Sequence, residues 1–114
     1  MIRGDIYRAD LNPTEGSEQA GKRPVIIVSR NGINHNSPVI VIVPLTKFAQ
    51  KKKIYPSHHL IKTSEANGLE VDSIAKCEQI RAIAKSRLSH HLGSLSLEDL
   101  DKIDIALKIV LALK

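Results

Sequence analysis

Two short runs of branched aliphatic residues, at positions 24–28 and 38–44, do most to limit what this chain can fold into. Pro-Val-Ile-Ile-Val and Pro-Val-Ile-Val-Ile-Val-Pro favour strands, and they lack the polar alternation of a strand with one wet face. Such runs suit strands buried on both faces or curled into a tight barrel. The stretch between them, residues 31–36 (Asn-Gly-Ile-Asn-His-Asn), is rich in turn formers and predicts a turn. Residues 5–11 alternate imperfectly and predict a first strand, which Asn12-Pro13 ends. Asn67-Gly68 marks a further turn ahead of strands at 72–77 and 80–83.

The last segment has a different period. Ser96 is a good helix N-cap, and Glu98 and Asp99 fall in the first turn, where the helix dipole favours acids. Leu100, Ile103, Leu107, Val110 and Leu111 follow a 3.6-residue repeat. Ile105, Ile109 and Leu113 widen that stripe beyond one face. The breadth predicts a helix packed across the open end of a barrel, with part of its surface buried in a homodimer. The fold class expected is α+β, mainly β: a small curled β-barrel with a C-terminal helix. With 114 residues and neither a repeat nor a low-complexity linker, the chain reads as one domain over 1–114.

Composition narrows the function classes. Cys77 is the lone cysteine, so no intrachain disulfide forms, which fits a reducing cytosol; within an apolar strand it reads as a core thiol. Arg3 and Asp5 break any leader peptide, and no apolar run approaches the roughly 20 residues of a membrane span, so a cytoplasmic, membrane-free protein is expected. The net charge of +5 favours a polyanionic partner, although solubility alone would also account for it. Tyr7, Phe48 and Tyr55 are the only aromatic residues of the Phe/Tyr/Trp class, which argues against an aromatic platform for stacking bases. The histidines fall as His35, His58-His59 and His90-His91; neighbours on a strand face opposite sides, and no Cys/His set has zinc spacing, so no metal is expected. No glycine-rich loop precedes a helix, so no nucleotide cofactor is expected.

The residues with chemical potential cluster around the first turn. Residues 16–23 form a polar loop with glycines at 16 and 21, carrying Ser17, Glu18, Gln19, Lys22 and Arg23. Pro24 biases Arg23 towards an extended backbone, which aims its side chain. Such a loop could bind phosphate and supply an acid–base group, or be an ordinary solvated hairpin loop. Thr46 closes the third strand, where it is either a simple strand end or a hydroxyl at the mouth of a site. Lys47, Lys51, Lys52 and Lys53 follow it, as a solvated face or as contacts to a phosphate backbone.

Five blocks in register then resemble one family. Arg3-Gly4-Asp5-Ile6-Tyr7, Gly16-Ser17-Glu18-Gln19, Lys22-Arg23-Pro24-Val25, Val43-Pro44-Leu45-Thr46 and Glu78-Gln79-Ile80-Arg81 have the order and spacing of the MazF/PemK (Kid-like) toxins. Gly68-Leu69-Glu70-Val71-Asp72-Ser73 is also similar to a segment of that family, and the likeness runs from residue 3 to at least residue 88. The resemblance implies an SH3-like barrel, a homodimer, sequence-selective endoribonuclease activity on single-stranded mRNA that inhibits translation and growth, and a cognate acidic antitoxin. Contact with DNA is expected only through the antitoxin complex. It further implies catalytic roles for Arg23 and Thr46, with Glu18 beside them, and a substrate contact for Gln79. Some relatives carry Arg-Cys-Asp-Gln where this chain has Lys76-Cys77-Glu78-Gln79; lysine cannot reproduce the arginine fork, so Lys76 and Glu78 are expected next to the site as RNA contacts. Ser17, Gln19, Lys22, Lys47 and the three later lysines complete the expected RNA-binding set. The chemistry expected is metal-independent attack by the 2′-OH on the adjacent phosphorus, leaving 2′,3′-cyclic phosphate and 5′-OH ends. The alternative is a non-enzymatic, CcdB-like toxin that binds a protein such as gyrase. Arg23, Thr46, Glu18 and the basic loop argue against that alternative, because a gyrase binder needs no such set.

Overall fold

The structure, a computed structural model, describes residues 1–51 and 53–114. Lys52, one of the expected RNA contacts, lies outside the described residues. The elements follow in the order β1 (Asp5–Asp10), β2 (Lys22–Ile27), α1 (Asn31–Asn36), β3 (Val39–Lys47), β4 (His58–Ile61), β5 (Ser73–Lys76), β6 (Arg81–Ala84), β7 (Leu88–Ser94) and α2 (Leu97–Leu111). The strands form one antiparallel sheet ordered β4-β5-β3-β2-β1-β7, with β6 also paired to β3. No helix among the described residues is long and apolar enough to cross a membrane.

The branched runs become β2 and β3, and both bury two faces. Val25 and Ile27 join Ile40, Ile42, Ala9, Leu11 and Ile83 on one side of the sheet. Ile26, Val43 and Leu45 join Ile6 and Ile61 on the other, under Ile103, Ala106 and Leu107 of α2. The period of two thus divides the strands between two cores, and each fully buried Ile, Val or Leu contributes about 1.5–3 kcal/mol.

β5 and β6 behave as one interrupted strand. Leu45–Lys47 pair with β5 and Val39–Ile42 pair with β6, and a 3-10 turn, Cys77–Gln79, is inserted between the two stretches. Cys77 was expected within a strand and instead begins this turn, but it is buried in the core under α2 as a core thiol should be. Burial pushes its pKa up to about 12, with Glu78 adding to the shift.

Three features differ from the sequence reading. The expected barrel is a curled sheet, and among the described residues no strand pair joins its ends. Residues 62–72 bridge the gap instead: Ser94 N–H donates to Ala66 O at 2.9 Å. The approach is too close for side chains, since a Cβ on Gly68 would stand 2.0 Å from Leu92 O and one on Gly93 2.3 Å from Ala66 O. Secondly, residues 31–36 form the short helix α1 where a turn was expected. Asn34 is buried, its Nδ2 donates to Ser29 O at 2.8 Å, and Ser29 Oγ bonds its Oδ1. Tertiary hydrogen bonds of the turn-forming asparagines wind the segment. Thirdly, α2 has its predicted cap, with Asp99 N–H donating to Ser96 Oγ at 3.1 Å, but it lies against β4 and the 3-10 turn. Ile103, Ala106 and Leu107 are buried, whereas Ile105, Ile109 and Leu113 are more than half exposed.

Candidate active site

Strand register builds the site. β2 pairs with β3 through Ile27↔Ile42, Ile26↔Val43 and Val25↔Pro44. Two residues further along each strand, the same register sets Arg23 opposite Thr46. Both carry the parity of Val25, Ile40 and Ile42, so their side chains lie on the sheet face away from α2. On the other edge of β3, Thr46 pairs with Ile74, Ile74 with Leu60, and Lys76 with His58. Arg23, Thr46, Ile74, Lys76 and His58 therefore share one face.

The Arg23 guanidinium is fixed by its own loop. Nε donates to Ala20 O at 2.8 Å, and Nη1 donates to Gln19 Oε1 at 2.7 Å and to Leu45 O at 3.2 Å. Three of its five N–H bonds are thereby used, and Nη2 has no hydrogen bond among the described residues. Arg23, held by these bonds, lines one cavity with Thr46. Burial lowers the pKa of Arg23 from its ordinary value, in the direction of a readier proton donor.

Gln79, delivered by the 3-10 turn, braces the same loop. Its Nε2 donates to Ser17 O at 3.3 Å, and its Oε1 accepts from Gln19 N–H at 3.4 Å. Ser17, Gln19, Gln79 and Arg23 thus form one connected set. Glu18 stands apart: its Oε1 accepts the Glu15 N–H at 2.6 Å, and no hydrogen bond joins it to Arg23 or Thr46 among the described residues. Glu78 accepts a hydrogen bond from His58 Nε2 at 2.8 Å.

The lysines divide. Lys76 and Lys53 line a cavity of about 230 Å³ beside Thr46. Lys22 and Lys47 line a second cavity, of about 350 Å³, together with Arg23 and Thr46 themselves and with Arg8 and Glu70. Lys51 is exposed in the connection after β3. The sequence reading missed Phe48, Tyr55 and His58, which also line the smaller cavity. Phe48 was legible in principle, just past the end of β3 and two residues from Thr46. His58 was not, because only the β4–β5 register places it there. The two histidines of that pair do face opposite ways: His58 meets Glu78, and His59 bonds Asp99 of α2 at 2.8 Å.

Arg23 and Thr46 thus stand together on a small curled sheet of a basic chain. Over residues 2–111 the chain matches the family described as PemK-like, MazF-like toxin of type II toxin-antitoxin system, and it belongs to that family. It is 44% identical to endoribonuclease EndoA of Bacillus subtilis over 111 residues, spanning 97% of this chain and 94% of that one. It is 41% identical to endoribonuclease MazF of Staphylococcus saprophyticus over 113 residues, spanning 99% and 92%. Among solved structures, an endoribonuclease from Mycobacterial species in complex with its cognate antitoxin superposes with a TM-score of 0.81 at 26% identity, covering 100% of this chain and 97% of that one. MazF of Deinococcus radiodurans shares the fold, with a TM-score of 0.83 at 20% identity over 98% and 96% of the two chains.

Proposed function

We propose that this chain is the toxin of a type II toxin–antitoxin pair, an endoribonuclease that cuts single-stranded mRNA and so stops translation. The observation that carries the reading is Arg23 and Thr46 lining one cavity, with Nη2 the one guanidinium nitrogen that has no hydrogen bond among the described residues. In this reading the 2′-OH of one nucleotide attacks the adjacent phosphorus. Its proton goes to a base, the bond to the 5′ oxygen breaks, and that oxygen takes up a proton. The products are a 2′,3′-cyclic phosphate and a 5′-OH. Arg23 Nη2 and the Thr46 hydroxyl donate to the nonbridging oxygens, where charge grows in the transition state. Arg23, with its lowered pKa, is also the group suited to protonate the leaving oxygen. Glu18 is the proposed base, and that role requires its loop to release the Glu15 N–H when RNA binds.

A homodimer and a cognate acidic antitoxin complete the proposal. The exposed Ile105, Ile109 and Leu111 of α2, with Leu113 just beyond it, are the surface offered for pairing. An acidic antitoxin tail would compete with RNA for Arg23 and the lysines. Incubating the purified protein with a long RNA in EDTA and mapping the new 5′ ends tests the chemistry. Cleavage leaving 5′-OH ends is expected. Strict dependence on Mg²⁺, or 5′-phosphate products, would sink the 2′-OH route, and intact RNA with or without metal would return the chain to a non-enzymatic toxin.

A further inference from the structure

The cavity beside Thr46 has a composition that phosphate binding does not explain. Phe48, Ile54, Tyr55 and Ile74 give it apolar and aromatic walls, while Lys53 and Lys76 bring ammonium groups to it. Two of the three Phe and Tyr residues of the chain meet here. Its volume, about 230 Å³, is below the range of roughly 300–1,000 Å³ usual for small-molecule sites, so it suits one planar ring system.

The walls are held in place. His58 N–H donates to Tyr55 O at 2.8 Å, and Tyr55 N–H points at His58 Nδ1 at 3.4 Å. That leaves Nε2 as the nitrogen that donates to Glu78 Oε2. The His58 ring, nearly buried, meets the Tyr55 ring edge-on at 5.4 Å and 89°. Lys53 Nζ stands 5.3 Å from the Tyr55 ring centroid. Half-exposed Tyr55 is therefore an oriented ring on a tight turn, with an accessible surface.

We propose that this cavity is a nucleobase subsite for the nucleotide attached to the scissile phosphate, with Tyr55 and Phe48 as stacking surfaces and Lys53 and Lys76 as readers of base carbonyl oxygens. It rests on the reading of the chain as an RNA-cutting enzyme. Continuity through Thr46, on the face shared with Arg23, sets the base one nucleotide's reach from the cleaved bond. Ammonium groups donate and never accept. A base with carbonyl acceptors on its edge, uracil or guanine, is favoured over adenine, whose exocyclic amine would face donors.

The test is cleavage of a randomised single-stranded RNA pool by wild type, Tyr55→Ala, Tyr55→Phe and Lys76→Gln, with cut positions mapped by sequencing. Wild type should prefer uracil or guanine at one position flanking the cut. Loss of one stacking partner should lower kcat/KM about 5- to 150-fold for Tyr55→Ala, and Tyr55→Phe should restore most of it. Lys76→Gln should admit adenine at that one position, because glutamine also accepts, and leave preferences elsewhere unchanged. Unaltered rates and base preferences in Tyr55→Ala and Lys76→Gln would overturn the subsite while leaving the nuclease intact. A uniform loss at every sequence in Lys76→Gln would also overturn it, since that is the signature of a phosphate contact. RNA left whole by wild type itself would overturn the nuclease reading, and the subsite with it.

Discussion

Replacing Arg23 by lysine separates charge from geometry. The native guanidinium spends Nε and Nη1 on Ala20 O, Gln19 Oε1 and Leu45 O, and in the proposed mechanism Nη2 is the group that meets the substrate. Lysine retains the charge but carries its donors on one nitrogen, which cannot hold the loop and reach a phosphate together. Removing one transition-state donor costs about 3 kcal/mol, so Arg23→Lys and Arg23→Ala should each lower kcat about 100- to 1,000-fold. The lost tethers also loosen residues 16–23; at this partly exposed site each of the three contributes a net of about 0.5–1 kcal/mol, so the fold should lose on the order of 2 kcal/mol. For a chain of this size that lowers Tm by about 5–15 °C, leaving it folded at room temperature. The assay is initial rates on a quenched fluorescent RNA, resolved into kcat and KM, with circular dichroism melts on the same samples. A folded Arg23→Lys protein within about threefold of wild type in kcat would refute the geometric role.

Thr46→Ala should lose on the order of 100-fold in kcat, and Thr46→Ser, which keeps the hydroxyl, should lose far less; equal losses in both would mean that packing is the cause. Replacing Lys51, Lys52 and Lys53 together by alanine should weaken RNA binding and reduce the log–log salt slope by roughly 0.7 per lost phosphate contact, and an unchanged slope would make this loop a merely solvated face. The raised pKa of Cys77 favours its neutral thiol in the fold; that contribution is complete below the ordinary value near 9 and declines as pH rises towards about 12. The stability advantage of wild type over Cys77→Ala should accordingly narrow above pH 9, as urea melts would report, and a constant difference would contradict the burial argument. Sedimentation should give about 25 kDa, twice the 12.6 kDa chain, and Ile109→Glu/Leu113→Glu should give monomers; a double variant that still dimerises would exclude this surface of α2.

What the sequence determined by itself is what neighbours along the chain decide. The cap at Ser96 and the 3.6-residue period of α2 involve contacts three and four residues apart, so the helix was legible with its N-cap. The branched runs announced strands buried on both faces, because alternation is a local property, and the same alternation sent His58 and His59 to opposite sides. The arginine before Pro24 and the strand-end Thr46 stood out as candidates. Their meeting is different: it depends on which residue of β2 faces which residue of β3, and register is set by long-range packing. The same holds for Lys22 and Lys47, which come to line one cavity with Arg23 and Thr46, and for Glu18, whose carboxylate turns back to its own loop. Residues 31–36 became a helix through hydrogen bonds to Ser29 and Arg3, contacts that turn propensity does not contain. Three scattered aromatic residues argued against a stacking surface; only the β3–β5 and β4–β5 pairings, with the turn before His58, bring two of them together beside Thr46.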